Sequence, residues 1–172
     1  PDPGWRVQRF REVGISITAG MIVGFDSDTR DIFEQQYDFA MASRIPLFSV
    51  GALIAPDATA LRARMVREGR LISDSIPSGL PWSTNLVPRQ LTPREVRDGL
   101  QWLCNALYEP SAFGERLLAN LDALGRCGPP DRGVARRLFH GRAIERDVAR
   151  LVAGFGLLGR DEARVLAQVA GR

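Results

Sequence analysis

The sequence predicts an α/β front followed by an all-helical back, and three features carry that reading. Two apolar runs, Ile15 to Phe25 and Leu47 to Ile54, alternate with stretches of helical spacing; a Ser-, Pro- and Gly-rich segment follows; and from Thr92 onward the apolar pattern has helical period. Strands that alternate with helices pair in parallel through crossovers. The division falls near residues 85 to 90.

The elements follow in order. "WRVQRFREVG" reads as a short helix ending near Gly14, and "ISITAGMIVGF" as a strand of about ten residues. Thr29 to Ser43 places Ile32, Phe33, Tyr37, Ala40 and Met41 at helical spacing, and "LFSVGALI" is a second strand. "APDATALRARMVREGRL" turns into a helix that stops at Gly69. Ile72 to Leu91 is irregular, the signature of a lid, a binding loop or a plain connector; Trp82, Asn85 and Arg89 are the side chains in it suited to closing over a site. In "TPRE", Thr92 is an N-cap, Pro93 the first helical residue and Glu95 the partner in a capping box. Val96, Leu100, Leu103 and Leu107 line one face of that helix, which ends at Tyr108 to Pro110. A second helix carries Phe113, Leu117, Leu121 and Leu124, Gly125 to Gly133 is a linker, and Val134 onward reads as two or three short Arg-rich helices.

Composition narrows the function classes. The 172 residues, 45% hydrophobic, suffice for a real core. No apolar run reaches the roughly 18 residues of a membrane span, and no signal-peptide pattern opens the chain, so a cytoplasmic protein is expected. A start at Pro1 instead of Met is expected of the tail of a longer polypeptide. All 23 basic residues are arginine, the net charge is +3, and arginines and acids are interspersed. That pattern suits a solvated face, and no aromatic-spaced basic patch argues for nucleic acid. The Arg-rich stretch 132 to 150 reads the same way, as a solvated helix face in preference to a lipid surface. Cys104 and Cys127 have neither a zinc spacing nor a disulfide framework; Cys104 reads as a small buried hydrophobe, and His140 as a surface residue.

The first strand is asymmetric. Alternation puts Ser16, Thr18, Gly20, Ile22 and Gly24 on one face and Ile15, Ile17, Ala19, Met21, Val23 and Phe25 on the other. The bulky face calls for a helical layer, and the small face leaves room. Close packing of another element is the commoner cause of strand glycine; a flat ligand resting on glycine, with Ile22 as cushion, is the other. Asp26, Ser27 and Asp28 follow where strand gives way to helix, and read as N-caps at the ligand-bearing end of a parallel sheet.

"GISITAGMIVGFDSDTRDIFEQQYDF" resembles the late barrel strand and following helix of radical S-adenosylmethionine (radical SAM) proteins. The group it most resembles carries an N-terminal cobalamin-binding domain and a C-terminal domain of unknown function. The likeness continues through "IPLFSVGALIAPDATALRARMVREGRL" and "TNLVPRQLTPREVRDGLQWLCNALYEPSAFGERL", covering residues 7 to 121. It implies the last two strand-helix units of a partial (β/α)6 TIM-like radical SAM barrel over residues 1–88, a helical accessory domain over 89–125 and an Arg-rich helical tail over 126–172. The family's G-x-I-x-G pattern beside the adenine of SAM maps to Gly20, Ile22 and Gly24. The next strand implies Leu53 and Ile54 as further adenine contacts, and Phe25 and Asp28 stand where relatives carry an aromatic and an acid.

The departures from the family are specific. The C-x-x-x-C-x-x-C loop that holds a [4Fe-4S] cluster is missing, as is the GG-acid segment for the methionine amino group. Ala58 to Leu61 reads "ATAL" where relatives show "GTPL". The resemblance therefore implies SAM as the cofactor touched here. The cluster and cobalamin would be held by a missing N-terminal barrel and cobalamin-binding portion, and no catalytic or metal-ligating residue falls in this chain. The intact protein is expected to cleave SAM reductively, giving a 5′-deoxyadenosyl radical, or to carry out cobalamin-assisted methyl transfer on a small-molecule or lipid substrate. The competing expectation is a degenerate or separately encoded interaction module without activity. An unrelated nucleotide-binding protein ranks last, because no phosphate loop is present.

Overall fold

The computed structural model describes residues 3–73, 81–125, 159–160 and 163–164. In chain order the elements are α1 (Pro3–Glu12), β1 (Thr18–Val23), α2 (Ile32–Ser43), β2 (Leu47–Ala52), α3 (Ala60–Arg67), α4 (Pro93–Leu107) and α5 (Pro110–Gly125). The class is mixed α/β. The expected linker from Arg126 on, Cys127, His140 and nearly all of the Arg-rich tail lie outside the described residues, as do residues 74–80 of the irregular run. Among the described residues no helix is long and apolar enough to cross a membrane. Up to residue 125 the described residues fall into two compact units, one drawn from 18–42 and 47–108, the other from 3–17, 43–46 and 109–125.

In the first unit β1 and β2 pair in parallel, with Thr18 beside Leu47 and Val23 beside Ala52. Met21, Val23 and Phe48 are buried, and Thr18, Gly20 and Ile22 are exposed. The buried face meets a core of Val23, Phe33, Leu91, Val96 and Leu100, joined by Val50, Ala52 and Trp82. α2 and α4 thus cover one side of the sheet, the arrangement that a bulky strand face requires. α4 is closed at its start by the expected capping box: Thr92 Oγ1 accepts from Glu95 N at 3.2 Å and Glu95 Oε2 accepts from Thr92 N at 2.8 Å. Val96, Leu100, Leu103 and Leu107 are its buried residues, as its sequence pattern implies. Gly99 lets α4 approach α2 closely, because a Cβ there would collide with the Phe33 ring. Tyr108 closes the helix and ties it to the sheet, its hydroxyl donating to Phe48 O at 2.5 Å and accepting from Phe48 N at 3.1 Å.

Both strands and α2 are shorter than expected, β2 ending at Ala52 and not at Ile54. β1 has six residues and not about ten. Before it, Ile15 N turns back to Phe10 O at 3.0 Å, and after it Gly24 leaves the extended region. α2 begins at Ile32 and not at Thr29, after a turn in which Ile32 N donates to Thr29 O at 3.1 Å.

The second unit contains α1 and α5. Glu109 caps α5, its carboxylate accepting from Ser111 N at 3.0 Å and Ala112 N at 3.1 Å. Of the apolar residues that α5 carries, Phe113 and Leu117 are half-buried and Leu121 is exposed, whereas Ala112, Arg116 and Asn120 are buried. Burial of Arg116 is tolerated because backbone carbonyls receive it, Nε donating to Ile45 O at 3.1 Å and Nη1 to Ala112 O at 3.1 Å. Arg11 Nη2 likewise donates to Ala119 O at 2.8 Å, and Asn120 Nδ2 to Ser16 Oγ at 3.2 Å.

Candidate functional site

The face of the sheet away from α2 and α4 is small and open. Gly20 lies beside Ser49 and Ile22 beside Gly51. A Cβ built on Gly20 would meet Ser49 Oγ at 3.4 Å, in van der Waals contact with that one side chain. Ile22 is 51% exposed although it lies within the paired part of β1. Among the described residues the result is a strip of backbone bare at Gly20, with Ile22 and Ser49 beside it and Thr18 and Leu47 exposed at the start of the same face.

At the C-terminal end of β1 the chain turns sharply. Gly24 has φ 112°, a left-handed conformation that L side chains rarely adopt. Asp28 holds the turn: its buried Oδ2 accepts from Gly24 N at 2.9 Å and Phe25 N at 3.0 Å. The acids expected as helix caps therefore act otherwise. Asp28 reaches back to the strand end, because α2 starts too far downstream for it to cap. Phe25 is 44% exposed beside this turn.

The end of β2 is held from residues 81–87. Ala52 N donates to Pro81 O at 2.7 Å, and Leu53 N still reaches β1, donating to Val23 O at 2.7 Å. Thr84 Oγ1 donates to Leu53 O at 2.6 Å. Asn85, fully buried, makes a matched pair of bonds with Ala55: its Oδ1 accepts from Ala55 N at 2.8 Å and its Nδ2 donates to Ala55 O at 3.0 Å. Leu71 and Leu86 form an antiparallel bridge, with Ile72 N donating to Asn85 O at 2.8 Å and Val87 N to Arg70 O at 2.9 Å. Leu53 packs against the buried trio Ala55, Met65 and Leu86. Leu53 and Ile54 are both half-buried.

A charged cluster closes the same end. Asp26 pairs with Arg70, with Arg64 Nη2 at 3.1 Å and with Arg89 Nε at 3.7 Å. Glu68 Oε2 takes Arg70 Nη1 at 2.7 Å and Arg89 Nη2 at 3.5 Å. Arg70 also donates from Nε to Val87 O at 2.8 Å, and Gln90 Nε2 to Asp26 O at 3.3 Å. The hydrogen bond from Arg70, then the charges of Arg70, Arg64 and Arg89, hold the Asp26 carboxyl below its ordinary range. Glu68 is lowered as well, first by its bond from Arg70, and Arg70 is raised in turn, first by Asp26.

Gly20 and Ile22 thus lie along β1, with Gly24 and Phe25 in the turn that follows it and Leu53 and Ile54 just past the neighbouring strand. Gly24 stands close to Leu53, where an added Cβ would come within 3.5 Å of Leu53 Cβ and 3.8 Å of Pro88 Cγ. Asn85 is expected from the sequence only as a side chain suited to closing over a site, and Thr84 only as part of the long irregular stretch; Arg70 lies before that stretch and carries no sequence signal for this role. Cys104 is half-buried, and burial raises its thiol. Among the described residues no group of three His, Cys, Asp or Glu side chains is placed to hold a metal. A groove of about 350 Å³ runs beside β1, lined by Ala19 to Ile22 with Ile32, Gln35 and Phe39 of α2.

The chain is similar to the hopanoid C-2 methylase of Rhodopseudomonas palustris (strain TIE-1), 38% identical over 68 residues. Those residues are 40% of this chain and 13% of that relative, so the chain spans only a small part of the relative's length. No solved structure matches. The family model for the domain of unknown function DUF4070 matches residues 59–160, more than half of the chain. The segment that holds the ends of both strands, from α3 through Asn85 to Gln90, falls inside that match: the chain belongs to the DUF4070 family.

Proposed function

We propose that the chain forms the adenine-side wall of a SAM site in a radical SAM enzyme. The observation that carries this reading is the exposed face of Gly20 and Ile22, beside the half-buried Gly51, on a parallel pair of strands whose other face is packed by helices. A purine ring needs a flat surface without side-chain bulk and an aliphatic cushion; Gly20 and Ile22 provide the two. Phe25, Leu53 and Ile54 stand at the ligand-bearing end of the sheet, where further contacts to the nucleoside would form. The relative's name supports the class, since a methylase takes its methyl group from a donor such as SAM. Bound SAM supplies an activated methyl group and a carbon–sulfur bond open to reductive cleavage.

In this reading residues 1–88 are the last two strand-helix units of a (β/α)6 barrel, residues 89–125 a helical accessory domain and residues 126–172 an Arg-rich tail. The edge of β1 beside the 350 Å³ groove is where preceding barrel strands would pair. The residues present do not fit a [4Fe-4S] cluster, because two cysteines cannot supply three thiolates. Ligands for the cluster and for cobalamin would come from elsewhere in the intact protein, and this chain's side chains bind and orient. The intact enzyme, a cytoplasmic protein in this reading, would cleave SAM for radical chemistry or cobalamin-assisted methyl transfer. The hopanoid named for the relative suggests a lipid substrate. The open β1 edge also suits a second reading, an interaction module without activity of its own.

Calorimetric SAM binding by the intact protein separates the two. Gly20→Val, which fills the open face without straining the backbone, should weaken SAM about ten-fold or more, and Gly20→Ala should weaken it less. Unchanged affinity in Gly20→Val would remove the adenine from this strand.

A further inference from the structure

We infer that Thr84 and Asn85, inside the DUF4070 match, are positioning residues of the cofactor site, fixing the strand end that presents Leu53 and Ile54 to the ligand. The inference rests on the SAM reading above and adds what that reading lacks, a role for the family's own domain. β2 as a strand ends at Ala52, so the backbone of Leu53 to Ala55 has no strand ladder of its own beyond the bond from Leu53 N to Val23 O. Residues 84 and 85 bond three of its backbone groups, Leu53 O by the Thr84 hydroxyl and Ala55 N and Ala55 O by the Asn85 amide, with Arg62 Nη1 adding a longer bond to Ala55 O at 3.5 Å.

The chemistry is particular to these side chains. The amide of Asn85 carries one acceptor and two donors, so it imitates a strand neighbour for Ala55 and satisfies both of its backbone groups at once. Asn85 is itself fully buried, and its place is fixed by main-chain bonds, with Ile72 N donating to Asn85 O and Val87 N to Arg70 O. The other strand is gripped from the same segment, through Arg64, Arg70, Arg89 and Gln90 on Asp26 and Pro88 against Gly24. One stretch of chain therefore sets the spacing between the two strand ends, and a wall for a flat ring depends on that spacing. Contacts that position a binding group matter beyond their own strength, because small displacements forfeit several ligand contacts together.

The test is SAM binding by calorimetry on the intact protein, with thermal midpoints and amide exchange measured on the same samples. Thr84→Val keeps the shape and removes the hydroxyl; it should weaken SAM about ten-fold and speed exchange at Leu53 to Ala55, while Thr84→Ser stays near the parent. Asn85→Ala should weaken binding further, and Thr84→Val carries the test if that variant does not fold. Parent-like affinity in folded Thr84→Val, with Gly20→Val impaired, would overturn the inference and leave the SAM reading standing. Equal losses in Thr84→Ser and Thr84→Val would also overturn it. Parent-like affinity in both Gly20→Val and Thr84→Val would overturn the SAM reading and the inference with it.

Discussion

Gly20 and Gly24 share a face in the sequence pattern, yet their physical roles differ. Gly20 is extended and needs only the absence of bulk, whereas Gly24 at φ 112° needs the absence of a Cβ. A valine at Gly24 would strain the backbone and break the loop that Asp28 holds, so a lost ligand there would say little about the adenine. Ala58 shows the converse. It sits at φ 58°, left-handed, where the relatives that the sequence resembles carry glycine. The turn survives because Thr59 anchors it, donating to Pro56 O at 2.7 Å and capping α3 through Arg62 N at 3.2 Å. A left-handed alanine costs roughly 1–2 kcal/mol, and glycine returns part of that as unfolded-state entropy. Ala58→Gly should therefore raise stability by about 0.5–1 kcal/mol, read as a higher midpoint in thermal or urea unfolding; a lower midpoint would mean the turn is not strained.

Among the elements, α4 was the most legible and the segment before it the least. Thr92, Pro93 and Glu95 lie within one turn, and Val96, Leu100, Leu103 and Leu107 repeat at helical spacing, so local rules specify both the start and the buried face. Residues 81–91 follow no periodicity, because their partners are backbone groups some thirty residues away. The buried face of α5 has no sequence signal for a related reason: Arg116 and Asn120 are buried by bonds to a distant carbonyl and a distant hydroxyl, which apolar spacing does not encode. The ionic cluster on Asp26 belongs to this scale as well, since it joins the end of β1 to the stretch from Arg64 to Arg89. Because the folded carboxyl lies below the usual aspartate value of about 3.9, the folded state stays ionised where the unfolded chain takes up a proton. Its contribution is complete above that value and is lost as pH falls through the lowered one. Asp26→Asn should flatten the acid limb of a plot of thermal midpoint against pH, relative to the parent; parallel acid limbs would show that the cluster is not coupled to folding.

For the molecule as a whole, alternation tells the packed side from the open one only within β1 itself. Beyond its ends Ile15 and Phe25, expected on the packed face, are exposed, and Gly24, expected on the open one, is buried, because the strand runs only from Thr18 to Val23. Met21 and Val23 went inward and Gly20 and Ile22 outward, as the period of two requires. What alternation could not supply was the turn at Gly24, the backward reach of Asp28 or the grip of the DUF4070 segment, all of which depend on contacts that the fold creates. The central claim is that the open face of β1 receives the adenine of SAM. A crystal structure of the intact protein with SAM tests it most directly. The account predicts the adenine ring in van der Waals contact, about 4 Å, with Gly20 and Ile22, and its edge toward Leu53 and Ile54; an adenine bound away from β1 with that face covered by protein would contradict it.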